Sequence, residues 1–497
     1  MTHSLWEVSA EKQNYPTLQK NSKTDVLIVG GGITGVSTAY RLQQAGLRVC
    51  LLEGYRLGNG VTGKTTAHLT TSVDAGYSQT ASNISKEAAT LLAQAAREAI
   101  DVVEENDRSE NLQSRFRRVP AYQYAASEKQ VSEVEKEMEA AREAGVFVSE
   151  VAHAPELPFQ TLKGIKYANN AVFNPMIYIF HLAQRFVEKG GELYEHTLIE
   201  DFKEKDGQVL AQTSTGHSIR AKHMVMATHM PLDIDPTQTM APPYRSYAMS
   251  FTTRDEVPEA LYYDLDEPYH YIRPAQLDGK RTWVVGGADH KTGSGDEQAA
   301  AKNLKQYVAE RFDVDEYLQT WSGQVFEPVD GLPFIGKSLL HKHIYIAGGY
   351  SGDGTLWGSF ASKLLTDLIT GKENPHAKLF SPARFNLKSG AGEFIKANAE
   401  VGWHFIADRF TSDTKNVEQI PRGEGRILNQ GAEQYAVYRD EAGELHVMSS
   451  TCVHLKCKVN WNNLEKTWDC PCHGGRYKAT GEVLEGPPHH SLKGKDL

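Results

Sequence analysis

The sequence predicts a mixed fold class: an α/β domain with a parallel sheet, an α+β domain inserted into it, and a small all-β domain towards the carboxy terminus. Three observations support this prediction. A glycine-rich turn separates a strand from a helix near residue 30, alternating strands occupy residues 244–289, and short strands with tight turns follow residue 411. With 497 residues and 40% hydrophobic content, the chain is long enough for two or three domains.

The charge and the amino-terminal sequence restrict the possible partners. The formal net charge of -10 is spread along the chain without a basic run, which argues against nucleic acid and against an anionic membrane surface. The first 30 residues contain no basic region followed by an apolar one, and no run of about 18 apolar residues occurs. We therefore expect a cytoplasmic, non-membrane protein whose partners are small molecules or proteins.

The segment “DVLIVGGGITGVSTAYRLQQAGLRVCLLE” has the pattern of a Rossmann-like βαβ unit. Gly30, Gly32 and Gly35 form a GxGxxG turn between a buried strand and a helix that begins at Ile33. The free N–H groups at the helix start suit a pyrophosphate, and Glu53 at the end of the second strand suits ribose hydroxyls. The unit thus predicts a dinucleotide site, and the fingerprint alone leaves both FAD and NAD open.

The sequence beyond Glu53 resembles one family of dinucleotide-binding proteins. The resemblance rests on four motifs: “RLGNGVTGKTTAHLTT” (56–71), “AKHMVMATH” (221–229), “FEPVDGLPFIG” (326–336) and “IYIAGGYSGDGTLWGSFASKLLTDLITG” (344–371). They resemble the flavin motifs of D-amino-acid-oxidase-like FAD-dependent oxidoreductases, which include glycine, sarcosine and γ-glutamylputrescine oxidases. His229 stands where that family usually has glycine. The resemblance covers about residues 20–375 and implies bound FAD.

The resemblance also implies which residues bind FAD and how the chain divides. The expected FAD-binding residues are Gly30, Gly32, Ile33, Thr34, Gly35, Glu53, Gly54, Arg56, Thr62, Lys64, Thr65, Thr66, Leu198, Ala227, Thr228, Gly349, Gly352, Asp353, Gly354 and Thr355. The expected domains are a discontinuous FAD-binding domain (20–80, 150–232 and 320–375), a substrate domain (81–149 and 233–319), a linker with a helix (376–412) and a small β domain (413–497).

The strand, glycine turn and helix over residues 344–371 also fit a second dinucleotide site. The sequence that follows, “KENPHAKLFSPARF”, has neither a strand nor a ribose acid, so we expect no second nucleotide there. Instead, we expect residues 352–355 to place a helix amino terminus near the flavin ring. Its partial positive charge would stabilise a reduced flavin.

The segments between the flavin motifs predict the helices of the inserted domain. Apolar residues recur at helical spacing over residues 83–107 and 127–145. Ser127 and Gln130 form a capping box at the start of the second segment, which ends at Gly145.

The alternating strands of residues 244–289 predict a sheet over the flavin. On it, Tyr271 and Arg273 fall on the same face, and a guanidinium fork fits a substrate carboxylate. Arg245 is a competing candidate for that contact, and Lys64 in the flavin-adjacent loop is expected near the flavin edge. For each of these residues a structural role, in an ion pair or at a sheet edge, stays open.

Four of the five cysteines lie with two histidines in “TCVHLKCKVNWNNLEKTWDCPCHGGRY”. Cys452-x-His454 and Cys470-x-x-His473 supply two matched pairs of ligands on two loops. Two thiolates and two imidazoles suit a tetrahedral zinc ion, and they equally suit a two-iron cluster in which histidines replace the cysteines on one iron. In a reducing compartment such clustering indicates metal or redox chemistry. The fifth cysteine, Cys50, lies in an apolar strand and is expected to be a core residue.

The two loops, “CVHLKC” and “CPCHGGRY”, closely resemble the paired cluster loops of the Rieske family. This resemblance implies an all-β Rieske domain with a 2Fe-2S cluster. It implies two cysteine ligands on one iron, two histidine ligands on the other and a disulfide between the loops: Cys452 and Cys470, His454 and His473, and Cys457 and Cys472 respectively. “EGPPHHSL” (485–492) resembles the proline loop that covers the cluster.

Two features depart from the Rieske pattern. High-potential members have a serine two residues after the second ligand histidine, where this chain has Gly475, while Tyr477 keeps the other hydrogen-bond donor. We therefore expect a lowered potential within the Rieske span of roughly -150 to +300 mV. The chain also ends at Leu497, where family members usually continue, so we expect a truncated form. Before this domain, “GEFIKANAEVGWHFIADRF” (392–410) predicts a helix.

Together the two resemblances imply an enzyme that oxidises the C–N bond of an amine or amino acid. The flavin would accept two electrons at once, and the cluster would pass them singly to an unidentified external acceptor. Two alternatives stay open: a flavin-dependent reductase that receives electrons through the cluster, and a non-catalytic redox sensor or electron-transfer module. A Rieske oxygenase would need a mononuclear iron site, and no convincing grouping of histidines and a carboxylate predicts one.

Overall fold

The computed structural model describes residues 3–384, 414, 416–430 and 433–495. The described α-helices are α1 (Leu5–Ser9), α2 (Ile33–Gln44), α3 (Tyr77–Asn83), α4 (Lys86–Glu110), α5 (Val131–Glu143), α6 (Pro175–Glu188), α7 (Glu297–Arg311), α8 (Gly354–Ile369) and α9 (Ala377–Phe380). The helix predicted over residues 392–410 lies outside the described residues. Among the helices that the structure does describe, none has the length and apolar composition needed to cross a membrane.

The strands of the first 384 residues form two large sheets. They are β1 (Ser22–Val29), β2 (Val49–Leu52), β3 (His68–Leu69), β4 (Arg117–Tyr124), β5 (Val148–Val151), β6 (Gly164–Val172), β7 (Glu192–Tyr194), β8 (Ile199–Lys205), β9 (Gln208–Thr213), β10 (Ser218–His229), β11 (Pro243–Thr253), β12 (Leu261–Tyr263), β13 (Tyr271–Leu277), β14 (Lys280–Lys291), β15 (Val314–Phe326), β16 (Phe334–Lys337) and β17 (Ile344–Gly348).

The first sheet contains the predicted βαβ unit. Its strand order is β16-β17-β10-β1-β2-β7, with β9 and β8 attached beside β10, and the run from β17 to β7 is parallel. The strands β1 and β2 read as apolar runs because helices and loops cover both faces of a parallel sheet. Leu27, Cys50 and Leu51 have no exposed surface, which confirms Cys50 as a core residue.

The second sheet has the order β15-β11-β14-β13-β12-β4-β6-β3, with β5 beside β6. It is antiparallel except where β12 runs parallel to β4. The helices α4 and α5 pack beside it, and the predicted capping box of Ser127 and Gln130 is present before α5. These two sheets confirm the predicted α/β and α+β parts.

The carboxy-terminal part consists of strands: β18 (Glu424–Gln430), β19 (Glu433–Arg439), β20 (Leu445–Ser449), β21 (Asn460–Asn462), β22 (Thr467–Asp469), β23 (Arg476–Lys478) and β24 (Val483–Glu485). They form a three-stranded sheet, β18-β19-β20, and a four-stranded sheet, β21-β22-β23-β24. Lys493 and Lys495 form backbone hydrogen bonds with the strand β20 at 2.8 and 3.0 Å. The predicted all-β class of this region is confirmed.

The glycine turn after β1 gives a test of the fold. A methyl group on Gly35 would lie 1.8 Å from the carbonyl oxygen of Gly30, so Gly35→Ala is expected to push α2 away from β1 and to destabilise the fold by roughly 3 kcal/mol. Chemical denaturation measures this loss. Gly494→Ala is the control, because its added methyl would meet no atom within 4 Å. Equal stability of both variants would contradict the predicted close packing.

Candidate functional site

The glycine turn forms the floor of a large cavity. Gly30 has φ of 108°, and a side chain on it would lie 2.4 Å from the carbonyl oxygen of Ala227, so only glycine fits there. The helix α2 starts three residues later, and Gly32, Ile33 and Thr34 at its amino terminus line the cavity. This end of the cavity therefore offers backbone donors and a helix amino terminus to a phosphate.

Glu53 lies where the sequence predicts the ribose acid, at the carboxyl end of β2. Its Oε2 accepts a hydrogen bond from the amide of Gly31 at 2.7 Å, and its Oε1 accepts one from Tyr55 at 2.8 Å. Burial raises the pKa of this carboxyl group, and the two amide donors act in the opposite direction. The carboxyl group is thus held in a fixed position on the cavity wall.

Most of the predicted FAD-binding residues line this cavity. The lining ones are Gly30, Gly32, Ile33, Thr34, Glu53, Gly54, Thr62, Lys64, Thr65, Thr66, Leu198, Ala227, Thr228, Gly352, Asp353, Gly354 and Thr355. Gly35, Arg56 and Gly349 do not line it. Gly35 packs against Gly30, Arg56 contacts Asn14, and Gly349 packs against Phe334 and Pro328.

His229, which stands where the family usually has glycine, adopts a backbone conformation that glycine favours. Its φ is 70°, in the left-handed region that glycine favours, and its ring lies 4.6 Å from the ring of Phe326. Burial lowers its pKa to about 4, so the imidazole stays neutral at neutral pH.

The second end of the cavity lies at the start of α8. Asp353 occupies the amino-terminal cap position of this helix, and the hydroxyl of Thr355 donates to the carbonyl oxygen of His68 at 2.8 Å. Gly352 and Gly354 line the cavity on either side of the cap. The backbone thus presents a helix amino terminus here, as the sequence predicts.

The cysteine and histidine loops meet in the carboxy-terminal part. Cys452 and Cys470 are buried free thiols, while a disulfide joins Cys457 to Cys472. Cys457, Cys470 and Cys472 also have sulfur atoms within 4.8 Å of one another. Because two of those three form the disulfide, only the Cys470 thiol of that group is a candidate ligand.

The two histidines complete the donor set. The rings of His454 and His473 lie edge to face with centroids 5.0 Å apart. The Nε2 atom of each ring is buried and has no hydrogen-bond partner among the described residues. Two free thiols beside two imidazoles with unused nitrogens fit a two-iron cluster that has one sulfur-ligated and one histidine-ligated iron.

The surroundings of Cys452 explain one departure from the Rieske pattern, the glycine at position 475. The hydroxyl of Tyr477 lies 3.1 Å from its Sγ and keeps the predicted hydrogen bond. A side chain on Gly475 would lie 3.5 Å from the same Sγ but only 2.8 Å from two ring carbons of Pro488. The proline loop therefore occupies the space that a serine side chain would need.

Comparison with known proteins identifies both halves of the chain. The profile of a family described as FAD dependent oxidoreductase matches residues 25–368. The chain belongs to this family. A second profile, described as Rieske [2Fe-2S] domain, matches residues 412–494. The FAD-dependent oxidoreductase domain binds FAD, and the Rieske domain binds a 2Fe-2S cluster. Both cofactors predicted from the sequence are thereby confirmed.

Relatives share one or both halves. A Bacillus subtilis protein, YhfW, which carries the name of a Rieske 2Fe-2S iron-sulfur protein, is 33% identical over 99% of this chain and 97% of its own. Glycine oxidase from Geobacillus kaustophilus has a TM-score of 0.62 at 18% identity and covers 74% of this chain and 100% of its own. L-Amino acid deaminase from Proteus myxofaciens has a TM-score of 0.61 at 16% identity, with 76% and 98% covered.

The sequence predicts Arg273 as a substrate contact, but in this FAD-dependent oxidoreductase its side chain does not line the cavity. It is 2% exposed, and its guanidinium donates to the backbone carbonyls of Thr66, Ala67, Phe173 and Pro274. Its side chain therefore ties the flavin-adjacent loop to the second sheet.

The structure places the other three residues predicted on the substrate side in different surroundings. Tyr271 lines the cavity, and its hydroxyl contacts that of Ser246. Lys64 also lines it, but its Nζ lies 3.0 Å from the carboxylate of Glu485, in the proline loop. Arg245 is 1% exposed and is not among the cavity-lining residues, because carboxylates of the Rieske domain engage it.

A buried network of charges joins the two halves. Arg245 on β11 lies 2.6 Å from Glu465 and 3.3 Å from Glu485, and both acids belong to the Rieske domain. Arg476, beside the cluster loop, contacts the same two acids at 2.8 and 3.0 Å. Burial acts against ionisation, but the charges of Arg245 and Arg476 lower the pKa of Glu465 to about 2. No sequence pattern predicts these pairs, whose members are up to 240 residues apart.

The Tyr477 hydroxyl gives a test of the cluster site. Tyr477→Phe removes the hydrogen bond to Cys452 Sγ, and a bond worth ~1 kcal/mol more in the reduced state corresponds to ~40 mV for one electron. We expect the cluster potential to fall by about this amount in a redox titration of the holoprotein. Tyr438→Phe, whose ring stacks on Trp461, is the control. An unchanged potential in Tyr477→Phe would contradict the assigned hydrogen bond.

The charge network gives a test by pH. Glu465→Gln leaves two buried arginines short of a partner and should destabilise the protein by roughly 3–5 kcal/mol at pH 7. Because folding lowers the pKa of Glu465 from 4.5 to about 2, this difference should persist down to pH 4.5 and disappear as the pH falls towards 2.

Denaturant titrations of wild type and variant across that range measure the difference. Glu444→Gln changes an exposed acid of the same domain and is the control. A difference that stays constant down to pH 2 would refute the ion-pair assignment.

Proposed function

We propose that this FAD-dependent oxidoreductase oxidises the C–N bond of an amine or amino acid and sends the electrons from flavin through the Rieske cluster to an external acceptor. In such a reaction the substrate loses a hydride from carbon and a proton from nitrogen, and water then hydrolyses the imine. Bound FAD accepts the two electrons together, and the 2Fe-2S cluster carries them singly.

A single side chain carries the argument for coupling. Gln324 lines the FAD cavity, and its Nε2 donates a hydrogen bond of 2.8 Å to the carbonyl oxygen of Gly474. Gly474 follows the ligand histidine His473 directly in the chain. One residue of β15 thus contacts both the flavin cavity and the cluster loop, which supports electron exchange within the chain.

The proline loop supports the same proposal. Residues 483–486, 488 and 489 form part of the cavity wall, so the Rieske domain closes the cavity on one side. Tyr55 donates from its hydroxyl to the carbonyl oxygen of Val483 at 2.7 Å, and Lys64 pairs with Glu485. These contacts hold the cluster-bearing domain against the FAD site.

The structural neighbours support the class of substrate. They include proteins named glycine oxidase, L-proline dehydrogenase and L-amino acid deaminase. At 18% identity or less the likeness concerns the fold, so it supports C–N oxidation as a proposal for this chain and leaves its substrate to experiment.

Anaerobic reduction of the holoprotein tests the proposal. Addition of a substrate amine or amino acid should bleach the flavin absorption, and the electron paramagnetic resonance signal of the reduced cluster should then appear. Alcohols of matching carbon skeleton are the control and should produce neither change.

Two outcomes would overturn this function. If no amine or amino acid bleaches the flavin while a reduced ferredoxin reduces it through the cluster, the protein is a reductase. If neither treatment changes the flavin absorption, the protein is a non-catalytic redox module and not an enzyme.

A further inference from the structure

The cavity wall near α8 contains three carboxylates, two of which hold each other in place. Asp74 Oδ2 accepts from the amide of Gly352 at 2.6 Å, and its Oδ1 accepts from the hydroxyl of Tyr269 at 3.1 Å. The amide of Asp74 in turn donates to Asp353 Oδ2 at 2.8 Å. These contacts explain the position of Asp74 and Asp353 without a ligand.

The third carboxylate, Asp289 on β14, has an unused oxygen. Its Oδ1 is buried and has no hydrogen-bond partner among the described residues. His68, which is 8% exposed, lines the same cavity, and its Nδ1 lies 3.0 Å from the hydroxyl oxygen of Thr66. A buried acceptor without a donor costs free energy, so Asp289 Oδ1 on this cavity wall indicates a ligand that donates a hydrogen bond.

Aromatic rings surround the same part of the cavity. The ring of His68 lies 5.3 Å from that of Tyr263 and 5.8 Å from that of Tyr271, and Tyr269 lies 5.6 Å from Tyr271. All four residues line the cavity. Aromatic faces beside carboxylates bind ammonium groups through cation–π and ionic attraction.

The cavity offers no free cation to a substrate carboxylate. Backbone carbonyls surround Arg273, and Arg245 is paired with Glu465 and Glu485. Lys64 is the one lysine or arginine among the cavity-lining residues that the structure describes, and Glu485 pairs with it. A substrate carboxylate would therefore be buried near three acids without a cationic partner, which is costly.

We propose that the substrate is an aliphatic amine without a carboxylate, whose ammonium group binds between Asp289, His68 and the three tyrosines. This inference rests on the proposed C–N oxidation and narrows its substrate class. An ammonium group supplies the hydrogen-bond donor that Asp289 Oδ1 lacks, and its positive charge offsets the local acids.

The ionisation of these groups agrees with a cationic ligand. Burial raises the pKa of Asp289 to about 7, and the nearby charge of Asp74 adds to this effect. Burial also lowers the pKa of His68 well below its ordinary value, so this imidazole is neutral. A bound ammonium group stabilises the ionised form of Asp289 and meets no positive charge on His68.

Matched pairs of ligands test the inference on the wild-type holoprotein. Each pair is an amino acid and the amine in which hydrogen replaces its carboxylate: glycine and methylamine, sarcosine and dimethylamine, ornithine and putrescine, and proline and pyrrolidine. Perturbation of the flavin spectrum measures binding, and anaerobic bleaching measures oxidation. We expect the amine to bind at least ~10-fold more tightly within each pair that binds.

A variant pair locates the ammonium group. Asp289→Asn should weaken amine binding by ~10-fold or more, while Asp278→Asn, an exposed acid in the turn of the same β13–β14 hairpin, should leave it unchanged. The flavin absorption of each variant shows whether its FAD site is intact. The wild-type comparison stands even if Asp289→Asn fails to fold.

The outcomes separate this inference from the proposed function. Tighter binding and faster bleaching by the amino acids would overturn the inference and leave C–N oxidation standing. Amine binding without bleaching would support the ligand class and overturn the oxidation. No binding of any amine at millimolar concentration, or unchanged amine binding in a folded Asp289→Asn, would overturn the inference.

Discussion

The pairing of Arg245 and Arg476 with Glu465 and Glu485 is the interaction on which the arrangement of the two halves depends. Buried charges are costly unless each has a partner with good geometry, and Arg245 has its carboxylate partners in the other domain. The FAD-binding half therefore contains a buried cation whose carboxylate partners, among the described residues, both come from the docked Rieske domain. Shifted orientations of the Rieske domain are therefore unfavourable, because a displacement of a few ångströms leaves charges buried without partners. One docked position is thus strongly favoured over all others.

Because the Rieske domain docks in this position, residues of both domains line a single cavity. The Rieske proline loop closes the FAD cavity, and Gln324 connects the cavity to the loop that follows His473. Pro488 of the proline loop occupies the space beside Cys452, where a side chain at position 475 would lie. The glycine at that position is therefore a consequence of how the proline loop packs. Closure of the cavity and loss of a hydrogen-bond donor to the cluster have a common structural cause.

The features that the sequence predicted well are local ones. The βαβ unit, the cavity-lining residues around Gly30 and the grouping of two cysteines with two histidines follow from short motifs whose geometry is fixed over a few residues. The roles of Arg245 and Arg273 were not predictable in this way. Arginine suits a substrate carboxylate and a buried ion pair equally, and the choice depends on partners such as Glu465, which is 220 residues away in sequence from Arg245. Asp289 could have been noticed in the sequence, because an acid that follows apolar residues within one strand is unusual.

The fate of the arginines also determines the charge of the substrate pocket. A pocket that recognises amino acids needs a cation for the carboxylate, and here the candidate cations serve other contacts: Arg273 binds backbone carbonyls, while Arg245 and Lys64 pair with acids of the docked domain. Docking therefore uses the positive charge beside the cavity, and one oxygen of the Asp289 carboxylate has no hydrogen-bond partner among the residues that the structure describes. The interface between the domains and the selectivity of the pocket are two consequences of one distribution of charge, so a change to either alters the other.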